Sequence, residues 1–333
     1  MGTLAIETSC DETSVAFIRD KRVERQWIAS QIAIHRPYHG VVPELASRAH
    51  LDNLPVLMQR MFKSIRRADV ERIAVTQGPG LVGALLVGVA YAKGLALNLK
   101  VPLVPVNHIE AHLYSPFIGA PIPREFLGLV VSGSHSSLYH VKGRAAARLC
   151  RTRDDAAGEA YDKVAKLFGL PYPGGPEIDR LAPGGDPKAV PLPFPKMSDG
   201  SMDFSFSGIK SRISFMVHEG FPVRRRGRLT PDALNLLASF QETVVKILVS
   251  RLDHFHRIHP VRHVSISGGV AANRRLRERV LEWSAGREVT AHFPSSEHIT
   301  DNAGMIGYLA EARHKKSVHP GRVDAVPNLE VGE

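Results

Sequence analysis

Short apolar runs at 3–6 and 15–18 flank a polar stretch, Glu7-Thr8-Ser9-Cys10-Asp11-Glu12-Thr13-Ser14. The pattern predicts a hairpin presenting hydroxyls, amides and carboxylates at its tip. A third strand is expected near Gln26 to Ile34. From Pro43 the period changes, with Leu45, Ala49, Leu54, Leu57, Met58 and Met61 at roughly helical spacing. A strand at Ile73 to Val75 then runs into Gln77-Gly78-Pro79-Gly80. A Gly/Ala-rich apolar helix and a strand at Leu103 to Val106 follow.

The second half starts in the same way. Phe126 to Val131, a polar turn at Ser132-Gly133-Ser134-His135, and Ser137 to Val141 predict another hairpin. Leu170 to Pro195 is dense in Pro and Gly and reads as an ordered functional loop or a lid. Helices are expected at 207–219 and 231–257, a strand at Val264 to Ser267, a tight turn at Gly268-Gly269 and a helix from Asn273. Val289 to Phe293 reads as a strand and Asp301 to His314 as a helix. Two hairpin-led halves predict an internally duplicated α/β fold with a cleft between lobes.

The chain has 333 residues, which suits two lobes of ordinary size. Its net charge of +10 favours a polyanionic partner such as nucleic acid without fixing the fold, and an ordinary basic enzyme fits it equally. Two cysteines, Cys10 and Cys150, exclude a disulfide framework or a Cys-rich zinc module. The apolar stretch Leu81 to Leu97 is interrupted by Gly83, Gly88, Lys93 and Gly94, and so reads as a buried helix. With Leu4 to Ile6 read as a strand and no basic n-region before it, the expectation is a soluble, cytoplasmic protein with no membrane partner.

His108-Ile109-Glu110-Ala111-His112 places two imidazoles at i and i+4, on one helix face, where they suit two ligands of a zinc or iron ion. Taken alone, such a pair is more often structural. Glu110 follows His108 by two positions and so projects away from that face, unlike the Glu of a His-Glu-x-x-His peptidase. Asp301, in Thr300-Asp301-Asn302, is a candidate third ligand, with a helix N-cap as the competing role.

Three glycine turns follow expected strands: Gly78-Pro79-Gly80, Ser132-Gly133-Ser134 and Gly268-Gly269. Each alone is an ordinary turn; together they favour a nucleotide bound by backbone amides. Asp154 and Asp155 match a helix dipole, and Asp162 lies further along, able to accept bonds from a ribose or amino acid. Tyr172-Pro173-Gly174-Gly175-Pro176 with Asp179 either walls a ligand or is a rigid loop. Arg224 to Arg228, Arg274 to Arg277 and Lys142 to Arg153 are basic; each alone is a solvated face, and together they suit a phosphate backbone. Cys10, beside carboxylates that raise a thiol pKa, is rejected as a nucleophile.

These motifs in this order, from about residue 3 to about residue 310, resemble the TsaD family. The resemblance rests on Glu7 to Thr13, Gly40 to Arg48, Gly78 to Gly83, His108 to His112, Asp155 to Asp162, Tyr172 to Pro176, Asp203 to Lys210, Ser267 to Arg274 and Thr300 to Asn302. It implies a two-lobed actin-like, sugar-kinase and Hsp70-type (ASKHA) α/β fold. Lobe I would span 1–105, with a C-terminal helix about 301–325 packing back. Lobe II, 106–300, would carry most metal and nucleotide contacts.

It also implies transfer of a threonylcarbamoyl group from threonylcarbamoyl-AMP to N6 of adenine 37 in the anticodon stem-loop of tRNAs reading ANN codons. The product is N6-threonylcarbamoyladenosine (t6A), and AMP leaves. Metal ligands map onto His108, His112 and Asp301, holding one divalent ion, Fe(2+) ahead of Zn(2+). Substrate contacts map onto Val130, Val131, Ser132, Gly133, Ser134, Asp162, Gly175, Asp179 and Asn273. Asp11 and Glu12 are candidates for proton removal. A TsaB-like paralogue and a TsaE-like ATPase are the implied partners. One departure stands out: Ser134 occupies a usual family glycine, a steric cost if the position needs positive φ. The competing functions are a metal-dependent endopeptidase and a non-catalytic actin-like nucleotide-binding scaffold.

Overall fold

The computed structural model describes residues 1–313 and 315–332. The chain folds as two compact units, one made of Met1–Ile122 with Phe293–Glu333, the other of Pro123–His292.

In the first unit, β1 (Gly2–Glu7), β2 (Glu12–Arg19) and β3 (Arg22–Ser30) form an antiparallel meander. The third strand starts earlier than its hydrophobicity suggests. Asp20 and Lys21, both at positive φ, close a two-residue hairpin turn. As the sheet's edge, β3 also tolerates the exposed charges that hide it in the sequence. A short helix α1 (Ile32–His35), the long α2 (Pro43–Ser64), β4 (Val70–Gly78), α3 (Val82–Leu99), β5 (Leu103–Asn107) and α4 (His108–Tyr114) follow. The sheet order is β3-β2-β1-β4-β5, with β4 and β5 parallel to β1. Leu4, Ile6, Phe17, Leu54, Met58, Ile73 and Val89 fill the core beneath it.

The second unit repeats this plan. The strands β6 (Glu125–Val131), β7 (Ser136–Lys142) and β8 (Ala145–Arg151) are an antiparallel meander. The helices α5 (Ala157–Leu167), α6 (Gly174–Leu181) and α7 (Ser207–His218) come next, then the two-residue strands β9 (Arg224–Arg225) and β10 (Arg228–Leu229). The 28-residue α8 (Pro231–Ile258), β11 (His263–Ser267), α9 (Arg274–Ala285) and β12 (Thr290–His292) complete it. The order β12-β11-β6-β7-β8 is that of the first sheet: a meander extended, on the free side of its first strand, by two further strands parallel to it. Duplication is therefore visible in topology although not in sequence.

The Pro/Gly-rich stretch is partly helical as α6, and beyond it the backbone is tied to α8. Asp186 N donates to Asn235 Oδ1 (2.8 Å) and Val190 N to Ser239 Oγ (3.1 Å). After the second unit the chain returns to the first through α10 (Ala303–Ala312). This helix starts later than expected because Asn302 caps it. The final residue of the expected helix, His314, lies outside the described residues.

The division falls at Ile122 rather than after residue 105. The reason is local: α4 grows directly from β5, with Asn107 Oδ1 accepting from Glu110 N (3.0 Å), and all seven of its residues are buried in the first unit. Both α3 and α8 are long and apolar enough to cross a membrane by length and composition. Most of the apolar window of α8 is buried. The inner face of α3 (Ala84, Leu85, Val89, Ala92, Ala96) is also core, while Val82, Leu86 and Leu97 lie on its surface.

Candidate functional site

Three expected ligands come together in the first unit. His108 opens α4 and His112 follows one turn later, their rings edge to face at 4.6 Å between centroids. Asp301 arrives from the segment ahead of α10. Its competing role as a cap is taken by its neighbour, since Asn302 Oδ1 accepts from Met305 N (2.9 Å). The Asp301 carboxylate is thereby released to face the imidazoles. Asp301 Oδ1 lies 3.5 Å from His108 Nε2 and 3.0 Å from His112 Nε2, and the donor atoms of the three residues all fall within 4.8 Å of one another.

Adjacent ligands of an ion at about 2.1 Å are separated by about 3.0 Å at a right angle and about 3.4 Å at a tetrahedral one. Both measured N···O distances match that scale, and two imidazoles plus one carboxylate suit iron or zinc. Among the described residues, the buried Nδ1 of His112 has no hydrogen-bond partner. The residues present fit a divalent metal.

Sequence reasoning missed what holds this group. Glu7, the last residue of β1, is fully buried. Its Oε1 accepts from Ser9 N (2.5 Å), and its Oε2 accepts from Thr76 Oγ1 (2.6 Å) and faces His108 Nδ1 (3.1 Å). An ionised carboxylate only accepts, so Nδ1 carries a proton, and in the neutral imidazole that a metal requires it is Nε2 that would present its lone pair. Burial alone would push Glu7 up, but the charge of His108 and the hydrogen bonds from it and Thr76 hold it below the usual carboxylate range. For His108, burial pulls down, and the Asp301 and Glu7 carboxylates outweigh it, giving about 9. Burial holds His112 below the ordinary histidine value. A carboxylate ending an otherwise apolar central strand was the available signal for Glu7.

Glu12 opens β2, and Asp11 immediately precedes it. Burial, with Asp11 and Asp301 nearby, pushes Glu12 up to about 10. Burial and the same two carboxylates push the Cys10 thiol well up, in keeping with its rejection as a nucleophile. Glu110 is held by Lys315 Nζ (2.6 Å), a structural role that matches its spacing.

In the second unit, three glycine-dependent segments meet. The Val131–Ser132 backbone packs against Gly268, whose φ of 86° and crowded Cβ position both demand glycine. Gly158, in the first turn of α5, donates to Ser132 O (3.1 Å) so closely that a side chain would strike Gly133. Val130 and Val131 are fully buried at the end of β6. Ser134 is exposed and lies outside the left-handed region, so the feared steric cost is absent.

Asp162 Oδ1 accepts from Gly174 N (2.6 Å), next to Gly175. Asp179 binds Arg274 Nε (3.0 Å). Asn273 caps α9 through Leu276 N (2.9 Å) and donates to Gln241 Oε1 (2.8 Å). Asp154, read from sequence as dipole matching, instead ties down residues 205–207. It accepts from the hydroxyls of Ser205 (2.5 Å) and Ser207 (2.6 Å) and from Phe206 N (2.8 Å).

Duplicated meander-plus-parallel sheets define an ASKHA-type fold, to which this chain adds a group of two histidines on α4 and one aspartate ahead of α10 that suits a metal ion. Two solved structures share the fold. Full-length HypF in its phosphate- and nucleotide-bound form aligns with a TM-score of 0.62 at 15% identity, covering 93% of this chain and 56% of that one. Component A of the Acidaminococcus fermentans (R)-2-hydroxyglutaryl-CoA dehydratase aligns with a TM-score of 0.53 at 14% identity, covering 95% and 97%.

The model of the TsaD family, tRNA N6-adenosine threonylcarbamoyltransferase, matches residues 22–308. Proteins of that name are similar over nearly the whole chain. The one from Moorella thermoacetica is 44% identical over 332 residues, covering 98% of this chain and 96% of its own. The one from Syntrophobacter fumaroxidans is 48% identical over 320 residues, covering 94% of each. The chain belongs to the TsaD family, and it is a tRNA threonylcarbamoyltransferase that forms t6A.

Proposed function

We propose that the donor is threonylcarbamoyl-AMP and the acceptor is N6 of adenine 37 in tRNAs reading ANN codons. The N6–carbonyl bond forms, the carbonyl–oxygen bond to phosphate breaks, AMP departs and N6 loses a proton. The observation that carries this reading is the convergence of His108, His112 and Asp301 in a chain of this family. They would hold one divalent ion, iron ahead of zinc, and such an ion supplies Lewis-acid polarisation of a bound oxygen.

The rest of the task is binding and orientation, because the mixed anhydride already has a good leaving group and the adenine amine is a weak nucleophile. The turn Val130 to Ser134, abutting the start of α5, is suited to the AMP phosphate through backbone amides and the helix dipole. Asp162, Gly175, Asp179 and Asn273 are assigned to the remaining adenylate groups. Side-chain bonds of Asp162 to Gly174, Asp179 to Arg274 and Asn273 to Gln241 fix the orientation of those three beforehand. Asp11 and Glu12 are the candidates to take the N6 proton. Glu12, held protonated at neutral pH by its surroundings, is the less suited of the two.

A TsaB-like paralogue and a TsaE-like ATPase are the proposed partners, in the cytoplasm. The apolar residues Val82, Leu86 and Leu97 on the exposed face of α3 support a protein partner. A peptidase reading cannot use Glu110 as its base, since Lys315 occupies that carboxylate.

Nucleoside mass spectrometry of unmodified ANN-decoding tRNA, incubated with threonylcarbamoyl-AMP, this protein and its partners, tests the reading. His108→Ala should abolish t6A while leaving the fold intact. Undiminished t6A from His108→Ala without bound metal refutes the metal's role.

A further inference from the structure

We propose that the β9–β10 hairpin is a grip for the RNA backbone, an inference that rests on the tRNA substrate of the reading above. The hairpin is sharply built. Arg228 pairs with Arg225 and Leu229 with Arg224, and the turn residues Arg226 and Gly227 both have positive φ, at 51° and 78°. This is the twist-matched two-residue turn that normally takes Asn-Gly or Gly-Gly.

Its root is bolted down. Arg224 donates to Phe168 O (3.1 Å) and Gly169 O (3.1 Å), carbonyls at the C-terminus of α5, and to Gly227 O (2.9 Å) within the hairpin. A cation there also meets the negative end of a helix dipole. On the other side Thr230 N donates to Val223 O (3.2 Å), and the Thr230 hydroxyl donates to Pro222 O and caps α8. The first arginine of the cluster is therefore structural.

The other three are not. Arg225, Arg226 and Arg228 are exposed, and among the described residues none of them has an ion-pair or side-chain hydrogen-bond partner. Elsewhere in the same unit Arg153, Arg180, Arg257, Arg275 and Arg287 each meet a carboxylate. The unpaired three line a surface hollow of about 640 Å³.

This local sequence opposes its own fold. Like charges face each other directly across the strand pair, which destabilises a hairpin. An arginine occupies a left-handed position that costs about 1–2 kcal/mol for a residue with a Cβ. Such conflict between local preference and structure is expected where function dictates the residues. Three guanidiniums on a rigid, anchored tip match a run of phosphates, which offer paired oxygens to each fork. Contacts of this kind read the backbone and not the bases.

The test measures tRNA binding to the full-length protein, with whatever partners transfer requires, by fluorescence anisotropy across about 50–200 mM salt. The triple variant Arg225→Ala/Arg226→Ala/Arg228→Ala should flatten the log–log salt slope by about 2–3, at about 0.7–0.9 per lost phosphate contact. ANN-decoding and other tRNAs should weaken alike, by at least about tenfold near 100 mM salt. The variant's melting temperature should hold or rise, because the cross-strand repulsion is gone. The triple Lys variant should keep most of the slope.

An unchanged slope in the Ala variant, while the wild-type protein forms t6A, overturns the grip and leaves the transferase reading standing. So does a Lys variant as weak as the Ala variant. A wild-type protein that binds tRNA through the hairpin yet forms no t6A under complete conditions supports the grip and counts against the transfer reading instead.

Discussion

Replacing Glu7 by Gln keeps the shape of a fully buried side chain and changes what it offers. The carboxylate accepts from three groups, Ser9 N, Thr76 Oγ1 and His108 Nδ1. A glutamine has one acceptor oxygen, and the Ser9 amide, which can only donate, must claim it. The new NH₂ then points at Thr76, whose hydroxyl can turn and accept, and at His108 Nδ1. For His108 to accept there, its proton must move to Nε2, the nitrogen that faces Asp301. An imidazole protonated at Nε2 cannot bind a metal through that nitrogen.

Removing an orienting partner of this kind typically weakens a metal site 10–100-fold, or about 1.4–2.7 kcal/mol. Zinc titration against a competing chelator measures it, and circular dichroism on the metal-free protein verifies the fold. Zinc affinity within about twofold of wild type in a folded Glu7→Gln protein would refute tautomer control by Glu7.

Three further outcomes follow from single contacts. Asp154→Ala should destabilise the second unit by about 1–2 kcal/mol at neutral pH, less than a fully buried network would give because solvent screens the partly exposed side chain. Burial pushes Asp154 up, but the bonds from Ser205, Ser207 and Phe206 hold it below its ordinary value. Its stabilisation should therefore be full above about pH 4 and fade as pH falls through the lowered folded value, so urea titrations at two pH values should converge in acid. Gly88→Ala should lower the melting temperature by several degrees, for about 1–3 kcal/mol, because the new Cβ overlaps Thr8 Oγ1, which bonds Ala84 O (2.9 Å). Ser134→Gly should give no gain in stability, and a loss of up to about 1 kcal/mol in denaturant melts, since the position does not need positive φ.

The sequence pattern located most strands and the long helices, because alternation and helical period survive wherever one face is buried. It passed over β8, whose residues read as part of a basic cluster, and β9–β10, whose arginines mask a strand pair. It also passed over α6, hidden in Pro/Gly-rich sequence. The His108–His112 pair was legible from spacing. Asp301 was legible only as one of two roles, and the choice depended on Asn302 taking the cap. Glu7, Thr76 and Lys315 were not legible as supports of α4, since each is remote in sequence and close only after folding. The second unit's glycine turns were found by composition, but their mutual packing through Gly158 and Gly268 is a tertiary fact.

The discontinuity of the first unit sets a clock on its metal group. Asp301 is made 189 residues after His112. At ribosomal rates that is a delay of about 10–40 s, during which the whole second unit is synthesised. Throughout that interval the nascent chain has both imidazoles and Glu7 but lacks the carboxylate they face. A complete ligand set therefore exists only once the second unit has been made. An ion held by all three residues would be taken up only after that point, and a truncated chain ending before residue 301 would carry two histidines and no third ligand from this group.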